Sequence, residues 1–171
     1  LNCVQKGMAV PGFGDSLYVA IENIQNKYDG EDVNYLNGVF GANHDQDRIA
    51  SSVNSLDKAR QIAAVYMTLP GNPYIYYGEE LGMYGSKPDE MIRTPFLWGD
   101  DSTYNTSLEK DDQNADTKGL DQQMKDPDSM YSYYKTLIAL RKDNPALMKG
   151  NYRAAALTSD SVTAYFREAD G

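Results

Sequence analysis

Two short apolar, β-rich runs, residues 38–42 and 73–77, stand on either side of one amphipathic helical pattern. That order constrains the fold more than any other feature of the chain. Strands separated by a helix-length crossover are parallel neighbours rather than a hairpin. Helices cover the faces of a parallel sheet, so the second run is expected to be buried on both sides. The intervening helix carries Ala59, Ile62, Ala63, Tyr66 and Leu69 on one face; Ser52, Asn54 or Ser55 caps it, and Pro70-Gly71 stops it. An earlier helical pattern, Leu17, Ile21, Ile24 and Tyr28, follows a cap at Asp15-Ser16. Helix, strand, helix, strand is the order of repeated βα units.

The first run ends in Asn43-His44-Asp45-Gln46-Asp47-Arg48, which holds the only histidine of the chain. So many polar groups in a row are costly inside a core without partners. At the carboxyl end of a strand they can converge on a ligand, and chemistry collects there in parallel α/β architectures. Glu79 and Glu80 hold the corresponding place after the second run; a solvated or salt-bridged acid is the preferred reading, and lining of the site edge by one of them is the alternative.

Composition narrows the partners. A net charge of −9 leaves no basic stripe for phosphates, so no nucleic acid partner is expected. Cys3 is alone, which excludes an internal disulfide and a cysteine metal motif. No apolar run is long enough to span a membrane, and no signal peptide is visible. The chain opens Leu-Asn-Cys, so a processed or cut polypeptide is expected and its localisation stays open. Tyrosine dominates the aromatics, with 14 copies, and suits the walls of wet, polar pockets as well as half-buried packing.

Residues 82–128 read as a long irregular segment, of the kind that is functional or disordered. Residues 112–116 begin like a calcium loop, but Thr117 stands where glycine is needed and Gln123 where the closing glutamate is needed, which excludes an EF-hand. Asn105-Thr106-Ser107 matches a glycosylation acceptor. Pro127 and Ser129 open a third helix with Met130, Tyr134, Leu137 and Ile138 as its apolar face; Arg141-Lys142 occupy its last turn and Asn144-Pro145 end it. Residues 154–157 and 162–166 read as strands joined by a turn at Thr158-Ser159-Asp160. The βα order has stopped there, so residues 1–145 and 146–171 are assigned to two domains, the second all-β.

These motifs resemble, in order, the α-amylase superfamily of glycoside hydrolases. Residues 38–48, ending Asn43-His44-Asp45-Gln46-Asp47-Arg48, are similar to its last catalytic block. Residues 70–83 resemble its eighth barrel strand and exit loop, residues 87–98 the segment that follows in neopullulanase-like amylases and α-glucosidases, and residues 137–142 the final barrel helix. The resemblance covers residues 35–170. It implies an α/β fold: an incomplete (β/α)8 TIM-type barrel, its last two βα units only, followed by the beginning of an all-β carboxyl-terminal domain. A complete barrel takes about 250 residues. The family's nucleophile and general acid have no counterpart in this sequence.

The resemblance gives Asp45 the role of the catalytic carboxylate that stabilises the transition state, and His44 that of a donor to a hydroxyl of the same sugar. Asn43, Arg48 and Arg93 are candidate substrate-binding residues; a capping or ion-pair role explains Asn43 and Arg48 equally, and a loop clamp explains Arg93. Trp98 and Tyr77 suit stacking on a sugar or plain packing, and Tyr131, Tyr133 and Tyr134 suit packing. The implied function is part of a retaining α-glucan or malto-oligosaccharide hydrolase, inactive alone. A transglycosylase on the same site and a non-catalytic sugar-binding relative are the alternatives. The implied partners are the glucan and the remainder of the barrel, in the same polypeptide or another chain. No cofactor and no metal ligand are expected in this segment; the resemblance leaves calcium open elsewhere in the full-length protein.

Overall fold

The structure, a computed structural model, describes residues 19, 21–24, 27, 37–99, 112–155, 162 and 164–169 of the chain. Strand β1 (Gly38–Phe40) and strand β2 (Asn72–Tyr74) pair in parallel, as the crossover requires, with Gly38 opposite Asn72 and Phe40 opposite Tyr74. The ladder is shorter than the two apolar runs. Pro73 brings no N–H to it. Beyond Ile75 the backbone turns, with the Glu79 N–H donating to the Tyr76 carbonyl at 3.0 Å. Nor is β2 buried on both sides: Tyr74 is 61% exposed. Among the described residues this sheet has two strands, with Val39 packed against the helical core and Tyr74 left exposed.

A short helix α1 (Ile49–Val53), too brief to show periodicity, precedes helix α2 (Leu56–Thr68). Ser55 is the α2 cap: its hydroxyl accepts the Lys58 N–H at 3.3 Å. Ala59, Ile62, Ala63, Tyr66 and Met67 are buried, with Leu69 just beyond. Gly71 then bends the chain into β2 with φ +106°; a Cβ there would lie 2.4 Å from the Asn37 carbonyl, so only glycine fits. The last carbonyls of a helix lack intrahelical partners and favour cations. Two arginines fill that role. Arg141 donates to the Met67, Leu69 and Gly71 carbonyls, and Arg167 to the Thr68 carbonyl.

Helix α3 (Asp89–Ile92) and helix α4 (Leu120–Gln123) interrupt the segment expected to be irregular. The residues that look like a calcium loop do a different job. The buried Asn114 amide accepts the Tyr84 N–H and donates to the Tyr84 carbonyl, each at 2.8 Å, and the Gln113 side chain accepts the Ser86 N–H at 3.1 Å. Gln123 donates to the Leu81 and Lys118 carbonyls. These amides clamp loop 81–86, and no group of three or more His, Cys, Asp or Glu side chains placed to hold a metal ion occurs among the described residues.

Helix α5 (Met130–Asp143) opens on Ser129, whose hydroxyl accepts the Ser132 N–H at 3.1 Å. Its buried stripe is Met130, Tyr134, Leu137 and Arg141. Ile138, expected on that face, is 46% exposed, because Arg141 takes the inward place one turn on. Pro145 does not merely end α5; it starts helix α6 (Pro145–Lys149), where its missing N–H costs nothing. Strand β3 (Asn151–Ala154) pairs antiparallel with strand β4 (Tyr165–Glu168). Both strands lie further from the turn than the apolar runs suggested. Asn151 and Arg153 face outward while Tyr152 and Ala154 are half-buried, a period-two alternation that apolar runs alone do not reveal.

One core joins α2, α5 and the end of β1 through Ala42, Ile49, Ile62, Tyr66, Met67, Met130, Tyr134 and Leu137. A second, smaller one packs Leu81, Met83 and Leu97 under the loops after β2. Among the described residues, no helix is long and apolar enough to cross a membrane. Leu17, Tyr28, the Asn105 acceptor pattern and the turn at residues 158–160 lie outside the described residues.

Candidate active site

The polar cluster at the end of β1 folds on itself before it faces outward. Asn43 Oδ1 accepts the Asp45 N–H at 2.9 Å, and its carbonyl accepts the Gln46 N–H at 3.3 Å. This is the local turn that asparagine makes with its own backbone. It presents His44 and Asp45, whose side chains are 66% and 62% exposed, with His44 Nε2 3.3 Å from Asp45 Oδ2. Arg93, at the end of α3, reaches across from a distant part of the sequence. Its Nε donates to the His44 carbonyl at 2.9 Å, and its Nη2 to Asp45 Oδ1 at 3.1 Å and to Asp89 Oδ2 at 2.6 Å. Asn43, His44, Asp45 and Arg93 therefore come together. Asp89, which the sequence reading did not single out, joins them; its only signal was the i,i+4 spacing to Arg93. A hydrogen bond from Lys87, with Arg93 close by, holds the Asp89 carboxyl below the usual range.

Arg48 does not belong to that exposed group. It is 1% exposed, and its Nη1 donates to the Tyr77 carbonyl at 2.6 Å. The guanidinium lies over the Tyr76 and Tyr77 rings, 4.9 and 4.8 Å from their centroids. Its contacts among the described residues are therefore a backbone carbonyl and two aromatic faces. Gly78 makes this approach possible: at φ +88°, it has Arg48 Nη1 2.9 Å from where a Cβ would stand. The Arg48 N–H donates to the Gly85 carbonyl at 2.8 Å, and Asp47 Oδ1 accepts the Lys87 N–H at 2.7 Å. Residues 47–48 thus hold the loop that leads to Asp89 and Arg93. Tyr77 donates its hydroxyl to the Thr94 carbonyl at 2.8 Å and Trp98 rests edge-on against Phe96, and both remain exposed.

Glu79 is neither solvated nor salt-bridged, contrary to expectation. It is 4% exposed. Oε1 accepts the Ala42 N–H at 3.1 Å, and Oε2 accepts the Tyr66 hydroxyl at 2.9 Å and the Tyr134 hydroxyl at 3.4 Å. Burial outweighs these donors and pushes its carboxyl up to about 8. Tyr134, expected to do no more than pack, is therefore part of a polar network. A carboxyl that is harder to ionise in the folded state stabilises fully below its unfolded pKa and loses that contribution as pH rises through the folded one. Unfolding stability is expected to fall between about 4.5 and about 8 from this group, and Glu79→Gln to remove that part of the pH dependence. Denaturant midpoints measured across that range check it.

The alpha-amylase catalytic-domain family model matches residues 5–150. The chain belongs to that family. It is 43% identical over 136 residues to Alpha-amylase 3 of Dictyoglomus thermophilum, covering 77% of this chain and 27% of that protein. To Alpha-amylase SusG of Bacteroides thetaiotaomicron it is 39% identical over 145 residues, covering 82% of the chain and 21% of SusG. A 4-alpha-glucanotransferase of Thermotoga maritima is 35% identical over 152 residues, covering 84% of the chain and 33% of that protein. The crystal structure of an alpha-amylase from H. orenii matches 98% of this chain with a TM-score of 0.83 and 35% identity, over 35% of its own length. The chain thus spans about a quarter of the length of the first two relatives. Within an amylase fold, β1 and β2 with their helices are two βα units of an incomplete (β/α)8 barrel, and β3–β4 fit the β domain that follows it.

Proposed function

We propose that this chain is the part of a retaining α-glucan hydrolase that carries the transition-state-stabilising carboxylate. The observation that supports it most is the exposed group of His44, Asp45 and Arg93 at the end of a parallel barrel strand. In this reading, Asp45 accepts hydrogen bonds from hydroxyls of the sugar at the cleavage point. Its charge offsets the positive charge that develops on the ring as the glycosidic bond breaks. His44 donates to a neighbouring hydroxyl. Asn43 keeps the turn in shape, and Arg93 orients Asp45 while offering its exposed edge to the substrate. Arg48 supports the loops from beneath. Nucleophile and general acid come from the remainder of the barrel, in the same polypeptide or another chain, and this segment supplies no metal ligand.

The resemblance to a glucanotransferase favours a second reading of the same site, in which a sugar rather than water accepts the glycosyl group. Incubating the complete polypeptide with starch, pullulan and maltotriose separates the two. Hydrolysis releases glucose or maltose and new reducing ends. Transfer yields longer oligosaccharides from maltotriose with no gain in reducing ends. Neither outcome on any α-glucan would overturn the assignment.

A further inference from the structure

The Glu79 carboxyl lies under the exposed cluster, where no sugar can touch it, yet it is bonded to the strand that presents that cluster. The ladder of β1 with β2 stops at Phe40 opposite Tyr74. Two residues on, the Ala42 N–H is held by Glu79 Oε1 at 3.1 Å instead of by a neighbouring strand. The next residue is Asn43, where the turn begins. The other carboxyl oxygen accepts from Tyr66 of α2 and Tyr134 of α5, whose hydroxyls are themselves 3.2 Å apart. A single side chain therefore ties the tip of β1 to two helices at the place where the chain turns toward solvent.

We infer that Glu79 is a positioning residue for the His44–Asp45 turn, acting through the Ala42 amide and locked by the Tyr66 and Tyr134 hydroxyls. The inference rests on the role proposed above for Asp45. Apolar side chains at these three positions would fill the space without burying a carboxyl, but they would leave the Ala42 N–H without its acceptor. What they cannot do is hold an amide N–H in a fixed direction, and a buried donor without a partner pulls its backbone toward any acceptor it can find. Placement matters because a shift of about 1 Å at a reacting centre can cost about a hundredfold in rate. The groups facing Glu79 are the Ala42 N–H, Tyr66 and Tyr134, with Glu80 as the neighbouring acid. A Gln side chain keeps a carbonyl oxygen for the Ala42 N–H, while its Nε2 carries two N–H donors that the Tyr66 and Tyr134 hydroxyls accept instead of donating, so Gln can keep the Ala42 bond.

The test compares Glu79→Leu, Glu79→Gln and Asp45→Asn in the complete enzyme, reading kcat and KM on a malto-oligosaccharide beside the melting curve. Glu79→Leu is expected to lower kcat by about tenfold or more at temperatures where it is fully folded, and Glu79→Gln to recover kcat to within about threefold of the parent. A purely structural role would lower Tm and leave kcat unchanged in the folded fraction, and that result overturns the inference. If Glu79→Leu does not fold, the pair Tyr66→Phe and Tyr134→Phe replaces it. It frees the carboxyl without removing it, and an unchanged kcat there overturns the inference equally. Asp45→Asn separates this from the parent reading. A large loss with Asp45→Asn but none with the Glu79 and tyrosine variants defeats only the positioning role. No loss with Asp45→Asn defeats the role of Asp45 itself.

Discussion

Asp45→Asn is expected to lower the turnover of the complete enzyme by at least about a hundredfold, the scale of losing one preorganised electrostatic stabiliser. The substitution is chosen for how little else it alters. Asparagine has the same shape and keeps one oxygen that can accept from Arg93, so the contact of Asp45 with Arg93 at 3.1 Å can survive. Asp45 is largely exposed, and surface ion pairs contribute about 0–1 kcal/mol, so folding should hardly notice. What goes is the negative charge. That charge matters little to a neutral ground-state sugar and much to a ring gathering positive charge, so the loss falls on kcat more than on KM. Arg93→Ala makes a useful contrast. It leaves the carboxylate in place, frees the His44 carbonyl and weakens the link to Asp89, and its effect should be smaller than that of Asp45→Asn. Rates near those of the parent in Asp45→Asn, with the protein folded, would contradict the role.

Much of this site could be read from local signals. The placing of His44 and Asp45 at a strand end needed only the apolar run before them and the helical pattern after them, and the structure puts both where that order requires. Periodicity also found α2 and α5, because each buries one stripe against a shared core. Long-range partners were less legible. Arg93 comes to His44 and Asp45 from 49 and 48 residues away, and Asp89 joins them only because Arg93 does. Arg48 and Glu79 were misread for a common reason. Charged side chains are almost never fully buried unless paired, so a polar string at a strand end is naturally taken as exposed. Here a guanidinium is covered by two tyrosine rings and a carboxyl by two tyrosine hydroxyls and an amide. No rule of spacing announces such burial. Asn114 and Gln123, which lie in the stretch that only begins like a calcium loop, bond the backbone of a loop, a role no spacing announces.

The chain on its own is expected to release no sugar from starch, pullulan or maltotriose, and activity is expected to return when the rest of the barrel is supplied. Retaining glycosidases need a nucleophilic carboxylate and a protonated acid about 5 to 5.5 Å apart, on opposite sides of the bond to be cut. Of the acids placed here, Asp45 and Asp89 share one arginine, and Lys87 with Arg93 keeps Asp89 in its charged form. A carboxyl held ionised is a poor proton donor to a leaving oxygen. Burial raises the carboxyls of both Glu79 and Glu80, but the Glu79 oxygens are spent on Ala42, Tyr66 and Tyr134 away from solvent, and Glu80 Oε2 accepts the Gly78 N–H at 2.8 Å. The proton donor and the nucleophile are therefore expected from the remainder of the barrel. The two-stranded sheet points the same way: among the described residues β1 and β2 pair only with each other and Tyr74 stands exposed, and short strand pairs with open edges are poor at standing alone. Mixing the chain with a separately produced upstream part of the barrel, then assaying reducing-end release, tests both halves of the expectation. Sugar release by the chain alone that disappears in Asp45→Asn would show that its own acids suffice, and would overturn the division of labour proposed for the barrel.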